Sequence, residues 1–254
     1  MTVVARVDLN GDVGESFGIW RLGDDARILD FVTSANIACG FHAGDPATID
    51  ATVREATRRG VAVGAHPSYP DLAGFGRRSM RLSPAEVEAA VLYQIGAVEA
   101  IARANGVRLS HVKPHGALYN DAADDRELAD AIASAVLRAG DYRLVGLAGS
   151  ALIDAARDAG VRSASEGFCD RAYGADGRLR PRRLAGALLS DPAVAARQAL
   201  DIATRGCVRV EGGAEIALRA DTLCIHGDTP GAVEIAQAVR AALESAGVRV
   251  AALE

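Results

Sequence analysis

His111-Val112-Lys113-Pro114-His115-Gly116 (HVKPHG, residues 111–116) closes a short apolar run that begins at Leu109. Lys113 is the lone lysine among 28 Lys and Arg residues, and it stands between two of only five histidines. An ammonium on a flexible stem differs from a guanidinium: it is a compact charge, and burial moves its pKa readily. In an extended segment His111, Lys113 and His115 share one face, with Pro114 bending the end. His42, His66 and His226 also end short apolar runs, beside Gly, Pro or Asp. A lone lysine and histidines gathered where strands stop, and absent from helix faces, have the distribution of an active site.

Working outward, strand-like and helix-like segments alternate along the chain. Val3–Leu9 reads as a strand cut off by Asn10-Gly11-Asp12, followed by helix-like sequence over 24–32 and a strand over 34–38. Asp45-Pro46 caps a helix over 47–59 that Gly60 ends. Residues 61–65 form the third strand. Ser83-Pro84-Ala85-Glu86 is a capping box opening a helix that runs to about Asn105. Strands over 109–113, 143–147 and 161–168 follow, with helices over 125–139, 150–159 and 191–205. A small hairpin over 208–218, a strand over 222–225, a helix over 230–246 and a short final strand over 248–253 complete the reading. Such alternation implies parallel strands joined by crossover helices. Polar residues follow at least six strands: Asp8/Asn10/Asp12, His42/Asp45, His66, Lys113/His115, Glu166/Asp170 and His226/Asp228. In a closed barrel all these ends meet at one rim, whereas in an open sheet only the switch-point strands contribute. The expected fold is therefore one β/α-barrel domain over residues 1–254, with no linker or internal repeat.

The composition narrows the function. Net charge is -5 with acids and arginines interspersed, so no basic block or arginine–aromatic stripe points to nucleic acid. No apolar stretch is long enough to span a bilayer. The four cysteines have no CxxC pairing and read as small buried thiols, and the opening residues form no leader, so a cytoplasmic location is expected. There is no GxxxxGK[ST] and no GxGxxG after a strand.

Several readings stay open for the rim residues. Asp8, Asn10, Asp12 and Glu15 suit a metal, a base or a substrate amine, or else a loop with Asx turns. Asp8 or Asp12 with His42 and His66 could form an Asp/His metal site. The loop from Tyr69 to Arg78 could cover the site, with Arg77 or Arg78 gripping a carboxylate or lying in a solvated turn. Lys113 could polarise a carbonyl, bind a phosphoryl oxygen or form a Schiff base; the alternative is a core salt bridge to Asp8 or Glu166. Asp228 is read as the cap of the last helix.

The stretches DLNGDVGESFG, SANIACGFHAGDP, GAHPSYPDLAGFGRR, YQIGAVEAIA, HVKPHGALYN, EGFCDRAYGADGRLRPR and ADTLCIHGDTP, in this order, resemble the LamB/YcsF family of 5-oxoprolinase A subunits. They span residue 8 to about residue 230. Gly11 and Val13 stand where the family often has Ala and Leu. The resemblance implies a seven-stranded, TIM-like barrel similar to the glycoside hydrolase/deacetylase barrels. It also implies ATP-dependent ring opening of 5-oxoproline to L-glutamate, with ATP and Mg2+ as co-substrate and with partner subunits B and C. On that chemistry Lys113, Glu15, Asp12, His115 and His66 are the catalytic candidates. Asp8, Asn10, Asn36, Tyr69, Arg77, Arg78, Glu166, Arg171 and His226 are the substrate-binding ones. Two rivals are a stand-alone metal-dependent hydrolase or deacetylase and a non-catalytic lactam-binding subunit.

Overall fold

A computed structural model describes residues 5–253. Seven parallel strands close into a barrel: β1 (Arg6–Val13), β2 (Ser34–Ala38), β3 (Ala62–His66), β4 (His111–Val112), β5 (Arg143–Leu147), β6 (Ser163–Phe168) and, after a hairpin of β7 (Cys207–Arg209) and β8 (Glu215–Ala217), β9 (Thr222–His226). β9 pairs with both β6 and β1, which is the closure. A two-residue strand, β10 (Arg249–Val250), adds to β1 near its start.

The helices between the strands are α1 (Asp25–Ile28), α2 (Pro46–Arg58), α3 (Pro84–Ala104), α4 (Gly116–Asp124), α5 (Arg126–Ala139), α6 (Ala151–Asp158), α7 (Pro192–Leu200) and α8 (Ala232–Ser245). The local signals operate as expected. Asp45 Oδ1 accepts from the N–H groups of Ala47 (3.0 Å) and Thr48 (3.2 Å), and the Ser83/Glu86 capping box is formed in both directions. Buried apolar residues fill the layer between strands and helices, including Leu9, Val53, Ile95 and Leu144.

Three expectations need correction. β1 is not cut at Asn10; it runs to Val13, because Asn10–Val13 is paired on one side with β2 and Asn10–Asp12 on the other with β9. Val3 and Val4 of the expected strand lie outside the described residues. The helix read over 24–32 is a single turn. Helix α4 stands where the sequence marks no helix; it is short and runs straight into Asp125, the cap of α5.

The barrel interior is polar. By strand alternation Asp8, Asn10 and Asp12 face inward while Leu9, Gly11 and Val13 face the helices. Gly11 packs closely there: a Cβ would come 3.0 Å from Ile28 Cγ2, so an alanine needs the isoleucine side chain to shift. Gly64 of β3 plays the matching part inside: a Cβ would lie 2.2 Å from the His111 ring.

Candidate active site

Above the C-terminal strand ends lies a cavity of about 560 Å³, with Asp12, His66, Lys113, His115 and His226 among its lining residues. Lys113 is one of its walls and is 2% exposed. Its Nζ lies 2.9 Å from Asp12 Oδ1 and 2.9 Å from Glu166 Oε1, and donates to Asn10 Oδ1 (3.2 Å) and Cys224 Sγ (3.0 Å). Burial opposes the ammonium, but Asp12, Cys224 and Glu166 override it and hold the Lys113 pKa well above the usual lysine value. Burial likewise raises Asp12, yet the Lys113 ammonium and His66 bring its carboxyl well below the usual range. The lysine is thus both a core ion pair, with Glu166 as one partner, and a wall of the cavity.

Beneath this pair the interior side chains interlock. Asn36 Nδ2 donates to Asn10 Oδ1 (2.7 Å) and Asp12 Oδ1 (2.8 Å), and Asn10 Nδ2 donates to Glu166 Oε1 (2.9 Å). His111 Nε2 lies 2.8 Å from Asn36 Oδ1, and burial together with the Lys113 ammonium pushes its imidazole down to about 3. Tyr119, on α4, donates its hydroxyl to Glu166 Oε2 (2.7 Å). A buried network of this kind is rigid only when every member is satisfied.

The histidines arrive from four strands. His226 Nδ1 donates to Asp170 Oδ1 (2.9 Å), and Asp170 also accepts from the Thr229 hydroxyl (2.8 Å). This turns His226 Nε2 toward Asp12, 4.0 Å away. Phe168 stacks on the His226 ring with centroids 5.4 Å apart. On the other side, His42 and His115 stack at 3.8 Å and Glu15 Oε1 lies 3.2 Å from His42 Nε2 and 3.4 Å from His115 Nδ1. Burial and the adjacent Asp12 charge raise the Glu15 pKa well above the usual value. Burial lowers those of His42 and His115.

The mouth is ringed by arginines. Arg77 donates to Asp228 Oδ2 (2.6 Å), while Arg178 ties the loop after β6 to α4 through Asp124 (2.7 Å). Arg171 is only 4% exposed, donates one bond to the Arg180 carbonyl (2.7 Å), and keeps Nε without a partner. Its burial lowers the guanidinium pKa to about 10, so it is still charged at neutral pH. Arg180, Arg182 and Arg183 line the same wall.

Of the expected residues, Lys113, Asp12, His115, His66, Arg77, Arg171 and His226 line the cavity. Glu15 and His42 lie directly behind it. The remaining placements are corrections. Asp8 sits at the opposite end of the barrel, accepting from the hydroxyls of Thr33 (2.7 Å), Ser34 (2.7 Å) and Thr222 (2.5 Å), so it belongs to neither a substrate nor a metal site at the rim. Asn10, Asn36 and Glu166 lie under Lys113, off the cavity wall. Tyr69 is buried and donates to Asp121 (3.2 Å), and Arg78 turns outward onto Asp71. Asp228 does not cap α8, which starts after Gly231 without a side-chain cap; it takes Arg77 and Arg182 instead. Cys39, Cys169 and Cys224 are buried, Cys207 is half-buried, and Cys224 touches the lysine.

Apart from Arg171, sequence reasoning misses the arginine wall, although RLRPRR at 178–183 is the densest basic stretch of the chain. It also misses Tyr119 and Phe168; the signal for Tyr119 is its position one turn beyond HVKPHG. Among the described residues no helix is long and apolar enough to cross a membrane.

Comparison with known proteins adds to this geometry. A profile of the LamB/YcsF family matches residues 7–254. The 5-oxoprolinase A subunit of Chloroflexus aggregans is 58% identical over 245 residues, 96% of this chain and 97% of that one. The 5-oxoprolinase A subunit of Bordetella pertussis is 55% identical over 97% of this chain and 98% of its own. The crystal structure of a lactam utilization protein from Thermus thermophilus superposes with a TM-score of 0.93 at 54% identity, covering 98% of this chain and 100% of that one.

Proposed function

On the premise that this chain belongs to the LamB/YcsF family, we propose that it is the A subunit of an ATP-dependent 5-oxoprolinase, opening the lactam of 5-oxoproline to L-glutamate together with subunits B and C. The observation that carries this reading is the cavity's division of chemistry. A buried arginine with an unspent donor, Arg171 Nε, stands over a floor of Lys113, Asp12, His66, His115 and His226. A small cyclic amide bearing one carboxylate matches that layout: the guanidinium takes the carboxylate and the floor faces the ring amide.

A five-membered lactam is a poor electrophile, which is why ATP, with Mg2+, is needed. Transfer of the γ-phosphoryl group to the amide oxygen releases ADP and creates an activated imidate. Water then adds to that carbon, the ring C–N bond breaks as the nitrogen gains a proton, and an acyl phosphate remains. A second water releases phosphate and leaves the carboxylate of glutamate. Lys113 supplies fixed positive charge beside the developing oxyanion. Asp12, Glu15 and His115 are the candidates to accept the water's proton, and His66 is the candidate to protonate the nitrogen. Arg77 and Arg78 are replaced by Arg171 as the carboxylate partner, since Arg77 is paired with Asp228 and Arg78 with Asp71.

The test is glutamate release from 5-oxoproline, with and without ATP, by this chain alone and with subunits B and C. Release only with ATP and both partners is expected. Absence of release with all three folded subunits present would refute the reading.

A further inference from the structure

Two imidazoles face each other across the back of the cavity with their proton positions already fixed. His66 Nδ1 lies 2.7 Å from the Lys113 carbonyl oxygen, and His115 Nε2 lies 2.9 Å from the Phe75 carbonyl oxygen. A carbonyl only accepts, so each of these nitrogens must carry its hydrogen and donate it. In the neutral rings the other nitrogens, His66 Nε2 and His115 Nδ1, are then bare lone pairs, and they stand 3.0 Å apart. The groups nearest this gap are carboxyls, which only accept when ionised: Glu15 Oε1 is 3.4 Å from His115 Nδ1, and Asp12 Oδ2 is 3.5 Å from His66 Nε2. Two lone pairs at hydrogen-bond distance repel unless a proton or a metal ion sits between them.

We propose that His66 Nε2, His115 Nδ1 and Glu15 Oε1 are ligands of a divalent transition-metal ion of the zinc class, with its open side toward the cavity. Three features beyond the lone pairs support this. Four-coordinate zinc with bonds of about 2.0–2.1 Å spaces its donors about 3.3 Å apart, and His115 Nδ1 stands 3.0 Å from His66 Nε2 and 3.4 Å from Glu15 Oε1. All three side chains are buried, and those of Glu15, His42, His66 and His115 bring donor atoms within 4.8 Å of one another. Each ligating imidazole gives its second N–H to a backbone carbonyl, the arrangement that fixes ring orientation and raises ligand basicity at metal sites.

His42 is a positioning residue here. Its ring lies parallel to that of His115 at 3.8 Å, so their in-plane lone pairs do not converge on one point; His42 Nε2 meets Glu15 at 3.2 Å instead. The ligand set differs from the Asp8/Asp12/His42/His66 combination expected from sequence. Imidazole and carboxylate without thiolate suit zinc or cobalt better than magnesium. An ion there would polarise a carbonyl presented in the cavity. It would take Glu15, His115 and His66 out of proton transfer and leave Asp12 and His226 for it. The proposal does not depend on the lactam reading.

The test is titration of the full chain, stripped with chelator, using Zn2+ by calorimetry and Co2+ by visible absorption. One equivalent is expected, with d–d bands of a four- or five-coordinate nitrogen/oxygen site. His66→Gln and His115→Gln should each weaken binding about 100-fold or more, while His226→Gln keeps the spectrum. No binding by the wild-type chain overturns the proposal. So does a thiolate charge-transfer band, or loss of binding in His226→Gln, since either places the ion at Asp12, Cys224 and His226. Should the two variants fail to fold, nitrogen NMR of the metal-free chain decides. Unprotonated His66 Nε2 and His115 Nδ1 that shift on adding Zn2+ support the site; a proton on either that persists in Zn2+ overturns it.

Discussion

Replacing Lys113 by methionine keeps the length of the side chain and deletes its charge. In the wild type Nζ sits between Asp12 Oδ1 and Glu166 Oε1, both at 2.9 Å, and all three residues are buried. The variant leaves two buried carboxylates facing a thioether. Asn36 still donates to Asp12, and Tyr119 and Asn10 still donate to Glu166, so each anion keeps hydrogen bonds and loses its counter-charge. Removing one partner of a buried ion pair costs about 3–5 kcal/mol. In a chain of this size each kcal/mol lowers the melting temperature by roughly 2–4 °C, so a fall of about 10 °C is expected. Urea is the denaturant of choice, because guanidinium is itself a salt and screens charge. The second arm adds Glu166→Gln to the methionine background. Deleting one stranded anion should recover about 1–3 kcal/mol, although the same substitution destabilises the wild type. A Lys113→Met chain within about 1 kcal/mol of wild type, or a Glu166→Gln change that worsens the methionine variant, would refute the reasoning. The interior would then be screening these charges.

Lys113→Arg should keep the fold but abolish turnover of the three-subunit enzyme, because a planar fork cannot occupy the point where Asp12, Glu166 and Asn10 converge; an active variant would sink the lysine's proposed role. His111 titrates near 3 when folded and near 6.5 when unfolded. Its stabilising contribution is therefore complete above about pH 6.5 and falls by roughly 1.4 kcal/mol per pH unit below that, until about pH 3. Urea unfolding of His111→Gln across this range should show a shallower acid slope than wild type, and an identical slope would contradict the assignment. Gly64→Ala drives a methyl into the His111 ring and should cost at least about 3 kcal/mol, whereas Gly96→Ala, with nothing within 4 Å, should be neutral or slightly stabilising by the same measurement. Arg171→Lys should raise the KM for 5-oxoproline by about tenfold with little change in stability; an unchanged KM would remove Arg171 from the carboxylate's site.

The alternation of strands and helices was legible because each boundary carries its own chemistry: Asp45-Pro46, Ser83-Pro84 and Asp191-Pro192 at helix starts, and Gly60, Gly106 and Gly160 at their ends. Closure into a barrel followed from where the ionisable residues stop the strands. The run through Asn10-Gly11-Asp12 misled because polar residues in a strand normally face water, and here they face a hydrogen-bonded interior. Helix α4 escaped because nine residues give little periodicity before Asp125 begins the next helix. The arginine wall escaped because an arginine-rich chain makes each arginine ordinary.

Sequence by itself determined the elements, their order and the residue types delivered to the rim, since propensity, capping and alternation act over a few neighbouring positions. The tertiary structure alone decided which of those residues meet. Glu15 reaches His115 across about a hundred positions, Asp8 is carried to the far end of the barrel by strand direction, and Arg78 turns away while Arg171 keeps a free donor. The tautomers of His66 and His115 are likewise set by the carbonyls of Lys113 and Phe75, groups every residue possesses and no sequence pattern marks.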